Sequence, residues 1–439
     1  MHAWSPEIVA EAAGVRLAVP APRGRADPPG PLRVTIDSRD VRPGDLFVGL
    51  PGEHVDGGSY AGAALAAGVW GALVTPAHAE RASYEAPGVL LAADDPLAGL
   101  QALARCWRRS LAAHVIAITG STGKTSTKDI LAAMLAQQRA VVSSPENFNT
   151  EIGLPLAILA APAGTEVLVL EMAMRGEGQI AELAAIAEPD AGVIVNVGPV
   201  HLELLGSLEA IAAAKAELLV DLRPGATAVL PAGEPLLDAH LRDDLRTVTF
   251  GPGGDVDELP DALELPFDSA HMRLNALAAL AAARAAGVEP RGLLEVRLSA
   301  LRGQRLQLPG PVLVIDDCYN ANPMSMRAAL DDLGLPASGR RVAVLGDMLE
   351  LGPEQARYHT EIGRYASECG VDVLVAVGPL AARMGTDFAG ELHLVDDAAA
   401  AAERVGELVA AGDTVLVKGS RGVGLEVVGQ ALRAATSGS

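Results

Sequence analysis

The sequence holds 439 residues, half of them apolar but only 3% aromatic, so its core is aliphatic and divided among roughly two to four domains. A net charge of −21 excludes non-specific binding to nucleic acid or to an anionic membrane surface, so any site for anions must gather its cations locally. Three widely spaced cysteines, Cys106, Cys318 and Cys369, exclude a disulfide framework or a structural zinc site and point to a reducing compartment.

The opening segment, MHAWSPEIVAEAAG, carries acids and lacks the basic-then-apolar order of a secretion signal. The longest uncharged stretch, Gly57–Ala79, is interrupted by glycines and Pro76 and has the pattern of a helix followed by a strand, not of a membrane span. A cytoplasmic protein is expected. Residues 1–110 form a first α/β unit. Val34–Arg39 and Val41–Leu50 are strand-like, the second opened by a Pro-Gly turn; Tyr60–Gly68 is a small-residue helix and Ala72–Val74 another strand. The Pro/Gly-rich piece Pro20–Pro31 is expected to be a mobile surface loop. Ser38 and Arg39, at a strand end, offer a hydroxyl and a guanidinium fork to an anionic ligand.

Residues 111–305 form the second unit, organised around Val115–Thr119, an apolar strand that runs into Gly120-Ser-Thr-Gly-Lys-Thr-Ser126 and then a helical pattern. Strand, glycine turn and helix make a phosphate cradle, because backbone N–H groups and the helix dipole face the anion. Lys124 adds a charge for the β/γ-phosphates and Thr125 a hydroxyl for Mg²⁺. The loop is shorter than the common one, which would need glycine where Ile118 stands. Val167–Glu171 is a buried strand with a carboxylate at its ligand-facing end, a candidate Mg²⁺ ligand. Ala191–Val197 is a further strand, and His201 lies just beyond it. Ser207 has the character of an N-cap. On the helix that follows, Lys215 falls in the apolar stripe with Ile211, Leu218 and Leu219, where an ammonium is costly. It either snorkels to an acid, or is chemically altered or sits against a charged site. Pro252–Pro266 has loop composition, and His271–Gly287 is an Ala/Leu helix containing Asn275.

Residues 306–439 alternate strands (Val312–Asp316, Arg341–Leu345, Val371–Val377, Glu391–Val395, Thr414–Val417) with helices such as Pro353–Cys369 and Ala398–Ala411. This is the pattern of a doubly wound, mostly parallel sheet. No G-x-G-x-x-G follows its first strand, so a dinucleotide is not indicated. Polar residues cluster after strands at Asp317–Pro323, Gly346-Asp347 and Lys418–Arg421. The fold expected is therefore α/β in three domains: a small N-terminal α/β domain, a central P-loop-type parallel sheet and a C-terminal Rossmann-like sheet.

Taken together, these strings resemble the Mur ligase family over nearly the whole chain. The resemblance is carried by Asp37-Ser-Arg39, Pro43–Phe47 and Gly52–Gly57; by Thr119–Ser126, Asn147–Gly153, Glu171–Met174, Asn196–Glu203 and Ala214-Lys215; and by Asp316–Pro323, Gly346–Gly352 and Lys418–Arg421. It implies an ATP-dependent ligase that adds D-alanyl-D-alanine to UDP-N-acetylmuramoyl-tripeptide through an acyl phosphate. A related ligase that adds a single amino acid, of Mur or folylpolyglutamate type, is the alternative. It implies that Gly120, Ser121, Thr122, Gly123, Lys124, Thr125 and Ser126 hold the ATP phosphates and that Asn275, Arg305 and Asp317 contact the nucleotide. It also implies that Thr125, Glu171, His201 and Lys215, the last as a carbamate, surround Mg²⁺, with Lys124, Lys215 and His201 central to catalysis. Substrate contacts are expected from Ser38, Arg39, Asn147, Asn149, Thr150, Asn320 and Asn322, in a monomer. The sequence departs from the family pattern at Gly58, where histidine is common after Asp-Gly, at Ala173 and Ala270 in place of glycines, and in a shortened segment between Phe250 and His271.

Overall fold

The computed structural model describes residue 1 and residues 3–19, 30–85, 88–145, 147–334 and 339–437. The loop expected at Pro20–Pro31 falls outside these except for its last two residues. Three α/β domains follow one another, each around its own sheet. The first contains β1 (Arg16–Val19), β2 (Arg33–Thr35), β3 (Asp45–Val48), β4 (Gly71–Val74) and β5 (Val89–Ala92). Their order is β1-β5-β4-β3-β2, with only β1 antiparallel to its neighbour. β2 is shorter than the pattern from Val34 suggests. The Asp37 carboxylate accepts the Arg39 backbone N–H at 2.9 Å and turns the chain out of the sheet. Gly57–Ala79 resolves into a short 3₁₀ turn, the helix Ala61–Ala66, β4 and the start of the next helix. Among the described residues no helix is long and apolar enough to cross a membrane.

The central sheet is wholly parallel. It contains β6 (His114–Thr119), β7 (Val141–Ser143), β8 (Val167–Glu171), β9 (Ala191–Ile194), β10 (Thr227–Pro231) and β11 (Arg246–Phe250), in the order β11-β10-β9-β6-β8-β7. β6 and β8 are buried on both faces, as continuous apolar runs in a helix-covered parallel sheet must be. The helix Ala270–Ala285 buries every residue from Asn275 to Ala283, and its alanines let it lie flat against the sheet and the helix Lys124–Ala136. The stretch Pro252–Pro266 is not all loop. β12 (Leu263–Glu264) pairs in parallel with β13 (Gly292–Leu293).

The third sheet contains β14 (Gln304–Leu308), β15 (Val312–Asp316), β16 (Arg341–Gly346), β17 (Val373–Val377), β18 (Glu391–Val395) and β19 (Thr414–Lys418). The order is β14-β15-β19-β16-β17-β18, parallel except for the edge strand β14, so Gln304 and Arg305 already belong to it. β14 alternates half-buried and exposed positions, whereas the parallel strands β16, β17 and β19 are almost entirely buried.

The first two domains share one core through the helix Pro96–Leu111. Asp95 caps it, accepting the N–H groups of Leu97 and Ala98 at 2.9 and 3.1 Å. Its buried face (Leu100, Leu103, Ala104, Trp107) meets both Leu46 of the first sheet and Ile158 of the central domain. Trp107 donates its indole N–H to Ala161 O at 3.0 Å and packs edge-on against Trp4, with ring centres 5.3 Å apart. Trp107→Ala is expected to cost about 3–5 kcal/mol, because it empties a filled site and leaves a carbonyl without its donor. Chemical denaturation followed by tryptophan-independent circular dichroism checks this; a loss below about 1 kcal/mol would mean that the junction does not depend on this contact.

Candidate active site

The C-terminal ends of β6, β8 and β9 open together on one side of the central sheet. β6 delivers the chain into the phosphate loop, and the helix Lys124–Ala136 leaves it with no side-chain cap, so its first N–H groups face outward. Gly123 has φ +77°, and a Cβ there would lie 2.5 Å from Asn275 Oδ1, so only glycine allows both the turn and this approach. The far side of the loop is fixed by the segment after β9. Asn196 Oδ1 accepts from Ser121 N at 3.1 Å and Thr122 N at 3.0 Å, and its Nδ2 donates to Thr122 O at 3.1 Å. Ser121 Oγ donates to Gly198 O at 3.0 Å and accepts from Gly198 N at 2.9 Å. These bonds explain why β9 stops at Ile194 instead of running to Val197.

Lys124 folds back to donate to Gly120 O at 2.7 Å. Desolvation holds its pKa below the usual lysine range and the Arg302 charge adds to this, while Glu171 opposes both. Glu171 is buried at the end of β8. One carboxylate oxygen accepts the Thr125 hydroxyl and the other the Asn149 amide, each at 2.8 Å. Lys215 is 2% exposed and, among the described residues, has no hydrogen bond or ion pair. Burial first, and the Lys124 charge second, lower its pKa well below the normal value, so its protonated form is disfavoured. Snorkelling to an acid is therefore not what it does.

His201 stands in the left-handed region (φ +53°), and its Nδ1 bonds the Glu350 carboxylate of the C-terminal domain. Burial lowers its pKa, Glu350 raises it, and the Lys124 and Lys215 charges lower it further. Glu350 is itself left-handed (φ +62°) and accepts on its backbone oxygen from Glu203 N at 3.3 Å. Its loop is held by buried His359, whose Nε2 accepts Met348 N at 2.9 Å, and by Ser420 Oγ, which accepts Leu349 N at 2.9 Å. The sequence strings contained Asn196 and Glu350 but gave neither a role, because each acts through a partner far along the chain.

A single cleft of about 1850 Å³ joins this edge to the C-terminal sheet. Ser121–Ser126, Asn147, Asn149, Thr150, Glu171, His201, Asn275, Arg305, Asp317, Asn320 and Asn322 all line it; Gly120, Lys215, Ser38 and Arg39 do not. Arg39 is turned onto Asp37 at 2.9 Å. Asn322 caps the helix Pro323–Leu333, accepting Ser325 N at 2.9 Å, and Arg305 is paired with Asp332 at 2.6 Å. Asp317 takes a bond from buried Lys418 Nζ at 2.5 Å, which also reaches Asn320 O at 3.0 Å. Among the described residues no three His, Cys, Asp or Glu side chains form a closed cation cage. Thr125, Glu171 and His201 are instead a partial oxygen-and-nitrogen set on the cleft wall, which suits Mg²⁺ when phosphates and waters complete its shell.

Three domain descriptions match the chain in order: "Mur ligase family, catalytic domain" over residues 33–105, "Mur ligase middle domain" over 118–275, and "Mur ligase, glutamate ligase domain" over 301–421. The UDP-N-acetylmuramoyl-tripeptide–D-alanyl-D-alanine ligase of Bacillus subtilis is 35% identical over 90% of this chain and 92% of its own length. The chain belongs to the Mur ligase family. Among solved Mur ligases, MurF from Acinetobacter baumannii superposes with a TM-score of 0.85 at 29% identity, covering 98% of this chain and 99% of that one. MurF ligase from Thermotoga maritima, solved in complex with ADP, gives a TM-score of 0.79 at 30% identity, covering 92% and 98%.

Asn196→Ala would strip Thr122 of partners on both its N–H and its carbonyl. Leaving such groups unsatisfied costs about 1–3 kcal/mol each, so ATP affinity is expected to fall at least about tenfold while the three sheets stay folded. Calorimetric titration with ATP checks this, and unchanged affinity would show that the loop holds its shape without Asn196.

Proposed function

We propose that this Mur ligase is an ATP-dependent, ADP-forming enzyme that joins D-alanyl-D-alanine to UDP-N-acetylmuramoyl-tripeptide in peptidoglycan precursor synthesis. The observation that carries the reading is the single cleft in which the phosphate loop faces the polar edge of the C-terminal sheet. The Bacillus subtilis relative, which spans nine-tenths of the chain, bears the name of the dipeptide-adding enzyme, so the single-amino-acid alternative is not favoured. We take the protein to be cytoplasmic, in keeping with its three free cysteines.

A carboxylate does not react with an amine directly, because it is anionic and its oxygen leaves poorly. In the first step a tripeptide carboxylate oxygen bonds to the γ-phosphorus of ATP, and the bridging P–O bond breaks to release ADP. The dipeptide amine then attacks the acyl carbon. A tetrahedral intermediate collapses with cleavage of the C–O bond, phosphate leaves, and the amine sheds a proton to solvent. An α-amine has a pKa near ~8, so a useful fraction is already neutral at pH 7 and no dedicated base is required. The difficulty lies in the meeting of two anions. Lys124 and the open N-terminus of its helix face the phosphates and oppose that repulsion. Magnesium, held by Thr125, Glu171 and His201, would supply further positive charge on the phosphate oxygens.

In this reading Asn275, Arg305 and Asp317 border the nucleotide. Asn147, Asn149, Thr150, Asn320 and Asn322 border the peptide substrates, and Ser38 and Arg39 border the uridine nucleotide at the edge of the first sheet. Lys215 carries a carbamate. Burial and the Lys124 charge disfavour its ammonium form, and the unprotonated amine can add to CO₂, forming an N–C bond and losing a proton, which turns a desolvated base into an anion.

Incubation with UDP-N-acetylmuramoyl-tripeptide, D-alanyl-D-alanine and ATP is expected to give the pentapeptide nucleotide and ADP. ADP release that does not depend on the dipeptide, or that a panel of single amino acids supports equally, would contradict the assignment. Lys215→Ala is expected to lower turnover by about a hundredfold or more while ATP binding, measured by calorimetry, is largely kept. Short-chain carboxylic acids should restore part of the rate; full activity without them would remove the carbamate from the mechanism.

A further inference from the structure

The connector between the central and C-terminal domains holds an arginine that neither the motifs nor the resemblance singled out. Arg302 precedes β14 and follows Leu301, which is left-handed at φ +60°, a conformation that a leucine keeps only when its surroundings impose it. Leu301 O accepts the Tyr319 backbone N–H at 3.2 Å. The Tyr319 ring then lies under the Arg302 guanidinium, 3.9 Å from its central carbon, with the Arg421 guanidinium farther off at 5.9 Å. Tyr319 thus orients Arg302 through both its backbone and its ring.

Arg302 lines the same cleft as Ser121–Ser126. Among the described residues it makes no ion pair, whereas Arg305 is tied to Asp332 at 2.6 Å. Lys124 lines the cleft too, on the side of the phosphate loop. Two cations lining one cleft repel each other unless an anion lies between them. A guanidinium stacked on a ring keeps its N–H edge free, and that planar edge matches two oxygens of a phosphoryl group.

We propose that Arg302 contacts the γ-phosphoryl group as it passes from ADP to the substrate carboxylate, facing Lys124 across it, and that Tyr319 positions Arg302 for this contact. The inference rests on the ligase reading given above. As the new carboxyl O–P bond forms and the bridging P–O bond breaks, charge gathers on the equatorial oxygens and on the departing ADP. A fixed guanidinium stabilises that distribution more than it stabilises bound ATP.

The test uses the full chain with UDP-N-acetylmuramoyl-tripeptide and ATP labelled with oxygen-18 at the β-nonbridging positions, without dipeptide. Scrambling of label into the β,γ-bridge reports reversible formation of the acyl phosphate alone. Arg302→Ala is expected to slow scrambling by about a hundredfold or more, and Arg302→Lys, which keeps the charge but loses the fork, by about tenfold. The KM for D-alanyl-D-alanine in the complete reaction should stay within about twofold of the wild type. Tyr319→Leu should give an intermediate loss in scrambling with the same dipeptide KM. Unchanged scrambling in Arg302→Lys and Arg302→Ala overturns the proposal, and if the dipeptide KM rises as well, Arg302 grips the dipeptide carboxylate instead. Should Arg302→Ala not fold, as judged by thermal melting, the lysine and Tyr319 variants decide by the same criterion. A wild type that neither scrambles label nor releases dipeptide-dependent ADP overturns the ligase reading and this inference together, whereas a scrambling wild type with unaffected variants overturns the inference alone.

Discussion

A cluster of basic side chains around the phosphate loop is the constraint on which the site depends. Lys124 feels the charge of Arg302, while Lys215 and His201 feel that of Lys124. In a chain of net charge −21 these groups could each have been given an acid. Instead Glu171 is the one carboxylate that offsets Lys124, Glu350 meets His201, and Lys215 has no partner among the described residues. Such an arrangement is costly in the empty protein and becomes favourable when phosphates enter.

The scaffold makes this possible by simple topology. Parallel strands end on the same side, so β6, β8 and β9 place the loop, Glu171 and the Asn196–His201 segment within reach of one another. β15 and β19 do the same in the C-terminal sheet for Asp317 and Lys418. The two edges meet through His201 and Glu350. Both are non-glycine residues held in the left-handed region, and the bond between them crosses the domain junction. Strain of this kind persists only where the rest of the structure over-determines it, and here it lies where the end of the central sheet meets the neighbouring domain.

Some of this could be read directly from the order of residues. The loop at 120–126 follows a strand and opens a helix, so neighbours in sequence are neighbours in space and the motif announces itself. Lys215 was conspicuous because it falls in an apolar stripe, and the structure finds it buried and unpaired. Other features were misjudged for physical reasons. β9 looked longer because Val195 and Val197 are apolar, yet the bonds from Asn196 to the phosphate loop end it early. β10 and β11 were not anticipated, since short apolar runs beside polar turns carry no period that separates strand from loop.

The sequence by itself determined the three α/β units, the phosphate loop and the identity of the charged groups at strand ends. Local periodicity and turn chemistry depend only on residues close along the chain. Tertiary structure alone decided which of those groups share a cleft: that Asn196 grips Thr122, that Glu350 reaches His201 across 149 positions, and that Arg302 rather than Arg305 is left without an acid. Those pairings follow from how the sheets pack against one another, and side-chain contacts between distant segments leave no trace in spacing or composition.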